Sequence, residues 1–195
     1  MNQQFHFSSH CIVLPIPNID TDQIIPARYL KSITKEGLGK FLFANWRYQE
    51  DGTIDPRFAL NQSNPDQSKI LIAEDNFGCG SSREHAVWAL RDWGFVAVIS
   101  TSFADIFKNN ALKNGLLPIR VERSTLNDLF QQKAQQGILY LTISLSEQSI
   151  NYNSHCVYFD IDAFAKYKLL NNIDELDYLI SNEDKIKDYE LKRML

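Results

Sequence analysis

The sequence predicts an α/β fold built on a parallel sheet, and three features predict it. Strand-length apolar runs alternate with helix-length stretches from residue 69 to residue 121, a glycine-rich turn joins a strand to a helix, and Gly115 marks a clear helix stop. Strands that alternate with helices need crossover connections, which set neighbouring strands parallel.

In chain order, Ile12-Val13-Leu14-Pro15-Ile16 reads as the first strand, ended by proline and by the turn-rich Pro17-Asn18-Ile19-Asp20-Thr21-Asp22. A short helical stretch is expected after Pro26 and another over residues 40–46, where Phe41, Leu42, Ala44 and Trp46 mix with polar neighbours. Residues 47–69 are mostly polar and carry Gly52, Pro56 and Pro65. So long a loop in a compact domain is uncommon and often functional or a partner contact. The middle reads as strand 69–73, turn 76–80, helix 82–93, strand 95–99, helix 103–113 and strand 116–121. Ser102 is the expected N-cap of the second of these helices, with Asp105 three residues on. Beyond them, 125–136 is expected to be helical, 138–145 and 156–161 to be strands, and 162–195 to form short amphipathic helices. From Asp174 onward acids outnumber bases, the mark of a solvated helical face.

Composition narrows the function. A chain of 195 residues suits one domain, here expected over 1–195 with a C-terminal helical extension from about residue 162. Lys plus Arg number 20 against 24 Asp plus Glu, a net charge of −4, without the basic excess that nucleic acid or an anionic membrane attracts. Apolar runs such as Phe95-Val96-Ala97-Val98-Ile99 fall far below the roughly 20 residues that cross a bilayer. Met1-Asn2-Gln3-Gln4-Phe5-His6 lacks the basic and apolar regions of a secretory signal, so the expected compartment is the cytoplasm. Cys11, Cys79 and Cys156 have no metal-ligand spacing, and no metal or cluster is expected on this chain.

The chemistry concentrates in Asn76-Phe77-Gly78-Cys79-Gly80-Ser81-Ser82-Arg83-Glu84-His85, between a strand and a helix. Two glycines allow a tight turn, and the amide N–H groups opening the next helix then face a ligand. Together with two hydroxyls and the Arg83 fork they suit a carboxylate or phosphate. A plainer reading exists for part of the segment: Ser81 and Glu84 have the spacing of a capping box. A cap does not explain Arg83, whose charge in the first turn opposes the helix dipole. The segment lacks the third glycine of a dinucleotide fingerprint, the G-K-[ST] of a P-loop and the last glycine of a nucleophile elbow. His85 reads as structural. Asp20 and Asp22 read first as a helix cap or Asx-turn, and Cys79 as either a thiolate at a helix N-terminus or a small residue in a tight turn.

Three stretches together resemble the small subunits of 3-isopropylmalate dehydratase, in the aconitase superfamily: Asn18 through Pro26, Asn76 through Ala86, and Thr101 through Ile119. The likeness covers most of the chain and is weakest in the C-terminal helices. It implies a three-layer β/β/α swivelling domain of the aconitase type, with a partly parallel sheet and C-terminal helices. It also implies half an active site, the other half being a large subunit with a [4Fe-4S] cluster on its own cysteines. By resemblance, Ser81 is the base that removes the proton next to a carboxylate, Ser82 and Arg83 hold substrate carboxylate, and Asp22 is an orienting or proton-relay carboxylate. The implied reaction is isomerisation of 2-isopropylmalate to 3-isopropylmalate through 2-isopropylmaleate, in leucine biosynthesis. The segment after Pro26 is implied in specificity. Leu30 suits an isopropyl group, and Arg28 or Lys31 a distal carboxylate, which leaves citramalate, dimethylmalate or homoaconitate isomerases as alternatives. A non-catalytic anion-binding module is the alternative of a different class.

Overall fold

In the computed structural model, which describes residues 5–30 and 34–193, seven strands share one sheet. They are β1 (His6–Leu14), β2 (Ile70–Ala73), β3 (Ala97–Ser100), β4 (Leu117–Arg120), β5 (Tyr140–Ser144), β6 (Ser149–Tyr152) and β7 (His155–Tyr158), in the order β4-β3-β2-β1-β5-β6-β7. β1 is the seam. Its second half, Cys11 to Leu14, pairs parallel with β2, while its first half, His6 to His10, pairs antiparallel with β5. The sheet is therefore only partly parallel, as the resemblance implied.

The helices are α1 (Thr21–Ile24), α2 (Ala44–Arg47), α3 (Glu84–Trp93), α4 (Asp105–Lys113), α5 (Arg123–Gln136), α6 (Ala163–Asn171), α7 (Glu175–Ser181) and α8 (Glu183–Arg193). Strands β2 and β3 are buried on both faces, which is why they read as unbroken apolar runs. Their alternate residues serve two cores. Ile12, Leu14, Leu71 and Val98 pack with Val87 and Leu90 of α3 and with Phe107 and Ala111 of α4. Ile70, Ile72, Ala97 and Ile99 face the other way, onto Leu126 and Leu129 of α5 and onto Leu141, Ile143 and Ile150 of the antiparallel strands. The sheet curls so that its antiparallel half covers the second face, giving the layered arrangement expected. Pro118 is tolerated in β4 because that strand is an edge: Leu117 N–H bonds inward to Val96, and the Pro118 nitrogen points away.

Several expectations are corrected. β1 begins at His6 rather than Ile12, because the polar His6 to His10 stretch gains its ladder from a strand far along the chain. β6 does not stand out as a strand in the sequence. It is a short serine- and asparagine-containing strand joined to β7 through a two-residue turn with Asn153 at φ 47°. Ser102 does not cap α4: Ala104 holds that position without a side-chain cap, and Ser102 serves the glycine loop instead. The stretch 47–69 is not an open loop. Phe58 and Leu60 pack into the first core, and Arg47 ties it down through Asn61 Oδ1 (3.0 Å) and the Gly39 carbonyl (2.9 Å). The helices α7 and α8 bury no residue, in keeping with a solvated face. Among the described residues no helix is long and apolar enough to cross a membrane.

Candidate active site

The loops that follow β1, β2 and β3 meet at the carboxyl ends of the parallel strands, the place where open α/β sheets bind ligands. Main-chain bonds stitch them together. Asn18 N–H donates to the Asp75 carbonyl (2.9 Å), Gly78 N–H to Ile19 (2.7 Å) and Thr21 N–H to Cys79 (2.9 Å). On the other side Phe77 N–H donates to the Ser102 carbonyl and Ala104 N–H to the Phe77 carbonyl, both at 3.1 Å. The Ser102 hydroxyl accepts from Asn76 N–H at 2.8 Å, which is the use this serine has in place of capping α4. The three stretches singled out in the sequence are thus one structural unit.

The middle loop turns through left-handed backbone at Asn76, Gly78 and Gly80, with φ of 56°, 75° and 88°. Gly78 has a second reason to be glycine, since a Cβ there would lie 2.2 Å from the Phe107 ring. The loop delivers Ser81 and Ser82 to solvent and Arg83 to the N-cap of α3 in extended conformation, with no side-chain cap. The capping box expected of Ser81 and Glu84 does not form. The helix begins at Glu84, whose carboxylate accepts from Asn114 Nδ2 at 2.7 Å. Neither serine hydroxyl has a hydrogen-bond partner among the described residues.

The two aspartates before α1 divide their work. Asp20 is the cap: its carboxylate accepts from Gln23 N–H at 2.7 Å while Gln23 Oε1 accepts from Asp20 N–H at 2.9 Å. Asp22, two residues further, instead forms an ion pair with the Arg83 guanidinium. Thr21 between them is buried, and its hydroxyl donates to the Ser81 carbonyl at 3.0 Å. Sequence reasoning missed Thr21, because the signal is a long-range bond with no local spacing.

Arg28 and Leu30 stand on and just after a single 3-10 turn, Ala27–Tyr29. Arg28 makes its contacts away from the serine loop: Nη2 donates to Asn45 Oδ1 at 2.8 Å and the guanidinium lies 4.7 Å over the Tyr29 ring. Leu30 is half-buried against the first core. Lys31 lies outside the described residues. His85 packs its ring on Trp88, with centroids 4.6 Å apart.

Cys79 does not have the activated thiolate's environment. Its Sγ donates to the Asn18 carbonyl at 3.4 Å, and burial, then the nearby Asp20 charge, push its pKa above the ordinary thiol range. The thiols do not fit a metal cluster: Cys11 is buried in β1, Cys79 is engaged in the loop and Cys156 is exposed on β7. No three His, Cys, Asp or Glu side chains gather as a metal site among the described residues.

Residues 3–124 match the family model described as the aconitase C-terminal domain, which sets the class to which this fold and loop cluster correspond. At the level of individual proteins, the chain is 53% identical to the 3-isopropylmalate dehydratase small subunit of Chloroflexus aggregans, over 92% of this chain and 88% of that one. It is 50% identical to the small subunit of Herpetosiphon aurantiacus, over 94% and 91% of the two chains. The crystal structure of 3-isopropylmalate dehydratase from Methanocaldococcus jannaschii superposes with a TM-score of 0.67 at 26% identity, covering 94% of this chain and 98% of that one. The chain belongs to the family of 3-isopropylmalate dehydratase small subunits.

Proposed function

We propose that this chain is the small-subunit half of a hydro-lyase that converts 2-isopropylmalate to 3-isopropylmalate through 2-isopropylmaleate, a step of leucine biosynthesis carried out in the cytoplasm. The observation that carries the reading is an exposed, unpartnered Ser81 hydroxyl two residues before Arg83, at the uncapped start of α3. In dehydration Ser81 takes the proton on the carbon next to a substrate carboxylate, and in rehydration it returns it. A serine is a weak base until its negative charge is favoured, and the positive end of α3 with the Arg83 guanidinium favours it. Ser82 and Arg83 bind the carboxylate, with Arg83 oriented by Asp22. Arg28 and Leu30 are assigned to the side that meets the substituent. Arg28 is already bonded to Asn45, so Leu30 is the apolar contact available to an isopropyl group.

The serine loop lies open to solvent, as half of a site completed by another chain would. The partner in this reading is a large subunit holding a [4Fe-4S] cluster, which supplies Lewis-acid chemistry at the substrate hydroxyl. The test is reconstitution with the large subunit, following hydration of 2-isopropylmaleate. The chain alone is expected to be inactive and the pair active, with Ser81→Ala lowering kcat by about 10²–10⁴-fold. Full turnover by Ser81→Ala would remove the base from this assignment.

A further inference from the structure

We propose that Thr21 is a positioning residue for Ser81, acting through a hydroxyl bond to the main chain, an inference that rests on the function proposed above. Ser81 sits in a stretch with no regular structure, between left-handed Gly80 and the first residue of α3. Its side chain has no partner, and the bond from Thr21 Oγ1 to its carbonyl, 3.0 Å, is the hydrogen bond it makes among the described residues. That bond fixes the peptide plane between Ser81 and Ser82, and with it the direction in which both hydroxyls leave the backbone.

Thr21 is itself held firmly. It is 2% exposed, its N–H donates to the Cys79 carbonyl at 2.9 Å and its carbonyl accepts from Ile25 N–H at 3.0 Å. Its neighbours on both sides do related work, since Asp20 caps α1 and Asp22 grips Arg83. One capped helical turn therefore sets the place of both the serine and the arginine. The main-chain bond to Cys79 would survive loss of the hydroxyl and hold the loop in its fold. What the hydroxyl adds is the final orientation of Ser81, and a misplacement of about 1 Å at reacting groups costs about 100-fold in rate.

The experiment compares Thr21→Ala, Thr21→Val and Thr21→Ser with wild type and Ser81→Ala, each reconstituted with the large subunit and assayed on 2-isopropylmaleate, with the melting temperature of each complex measured alongside. Thr21→Ala and Thr21→Val are expected to lose about 10- to 100-fold in kcat with KM within about twofold, and Thr21→Ser to recover to within about threefold of wild type. The Ala and Ser pair carries the test if Val fails to fold. Wild-type kcat in Thr21→Ala, or equal losses in Ala and Ser, would overturn the inference while leaving the proposed function intact. An inactive wild-type pair, or a fully active Ser81→Ala, would overturn the proposed function and the inference with it.

Discussion

Arg83 and Asp22 are separated by 61 positions in sequence and meet as an ion pair across two loops. The arginine side chain is 19% exposed and the aspartate 52%, so the pair lies at the surface, where such contacts contribute about 0–1 kcal/mol to stability. In the function proposed above, the pair serves to aim a planar fork beside Ser81. Asp22→Asn is expected to change stability by less than about 1 kcal/mol in urea denaturation yet to lower kcat/KM of the reconstituted enzyme about 10- to 100-fold. Arg83→Lys keeps the charge but lacks the fork, and a rise in KM is expected from it. Unchanged kinetics in both variants would show that the pair is only structural.

Gly78 is the tightest point of the site. Its φ of 75° disfavours any side chain, and the added Cβ would meet Phe107 Cγ at 2.2 Å. The Phe107 ring is part of the first core and packs on Phe77 and Phe103, so it has little room to retreat. Gly78→Ala is expected to destabilise the chain by about 2–4 kcal/mol, combining left-handed strain with overpacking. The denaturant midpoint would fall with the slope unchanged; a wild-type midpoint would mean that the loop relaxes freely.

The parts of the fold legible in the sequence were those whose signals are local. β2, α3, β3 and α4 are apolar runs and amphipathic stretches, with Gly115, left-handed in the structure, as the marked helix stop. The first half of β1 is polar enough to read as loop, and only pairing with β5, far along the chain, makes it a strand. β6 is short and mixed in character, and becomes a strand through hairpin pairing with its neighbours β5 and β7. The two candidate caps at the site show the same divide. Asp20 with Gln23 forms one, whereas Ser81 with Glu84 has the spacing and does not, because Gly80 and the bond to Thr21 hold Ser81 outside the helix. Residue types marked the loop of Ser81, Ser82 and Arg83 as an anion site, and the family resemblance alone implied a base at Ser81 and a role for Asp22. That Asp22 rather than Asp20 reaches Arg83, and that Thr21 reaches Ser81, are facts of tertiary structure.

Leu30 offers a direct test of which substituent the site prefers. Among the described residues of this segment, Arg28 is bonded to Asn45 and lies over the Tyr29 ring, while Leu30 is the apolar side chain. Removing apolar contact of this size changes discrimination by about 1–3 kcal/mol, or about 10- to 200-fold. Leu30→Ala is expected to lower kcat/KM for 2-isopropylmaleate at least tenfold more than for its methyl-substituted analogue. Equal losses on the two substrates would place the substituent elsewhere.

The second core makes the fold sensitive to alkali, and the sign follows from two groups. The Cys11 thiol is buried in β1, which pushes its pKa well above the ordinary thiol range. Burial, followed by the hydrogen bond to Asp128 Oδ2 at 2.9 Å and that carboxylate's charge, pushes Tyr152 up to about 12. Both groups stay protonated in the folded chain at pH values where the unfolded chain has released its protons. The unfolded state then binds fewer protons, so stability falls as pH rises. This contribution is fully present below the ordinary thiol and phenol ranges and is lost on going up through them, for Tyr152 between its ordinary value of 10 and about 12. Urea midpoints measured from about pH 8 to about pH 11 should decline, and the decline should be shallower in Cys11→Ala with Tyr152→Phe, even though that double variant starts lower. A slope identical to wild type in the double variant would assign the alkaline loss to other groups.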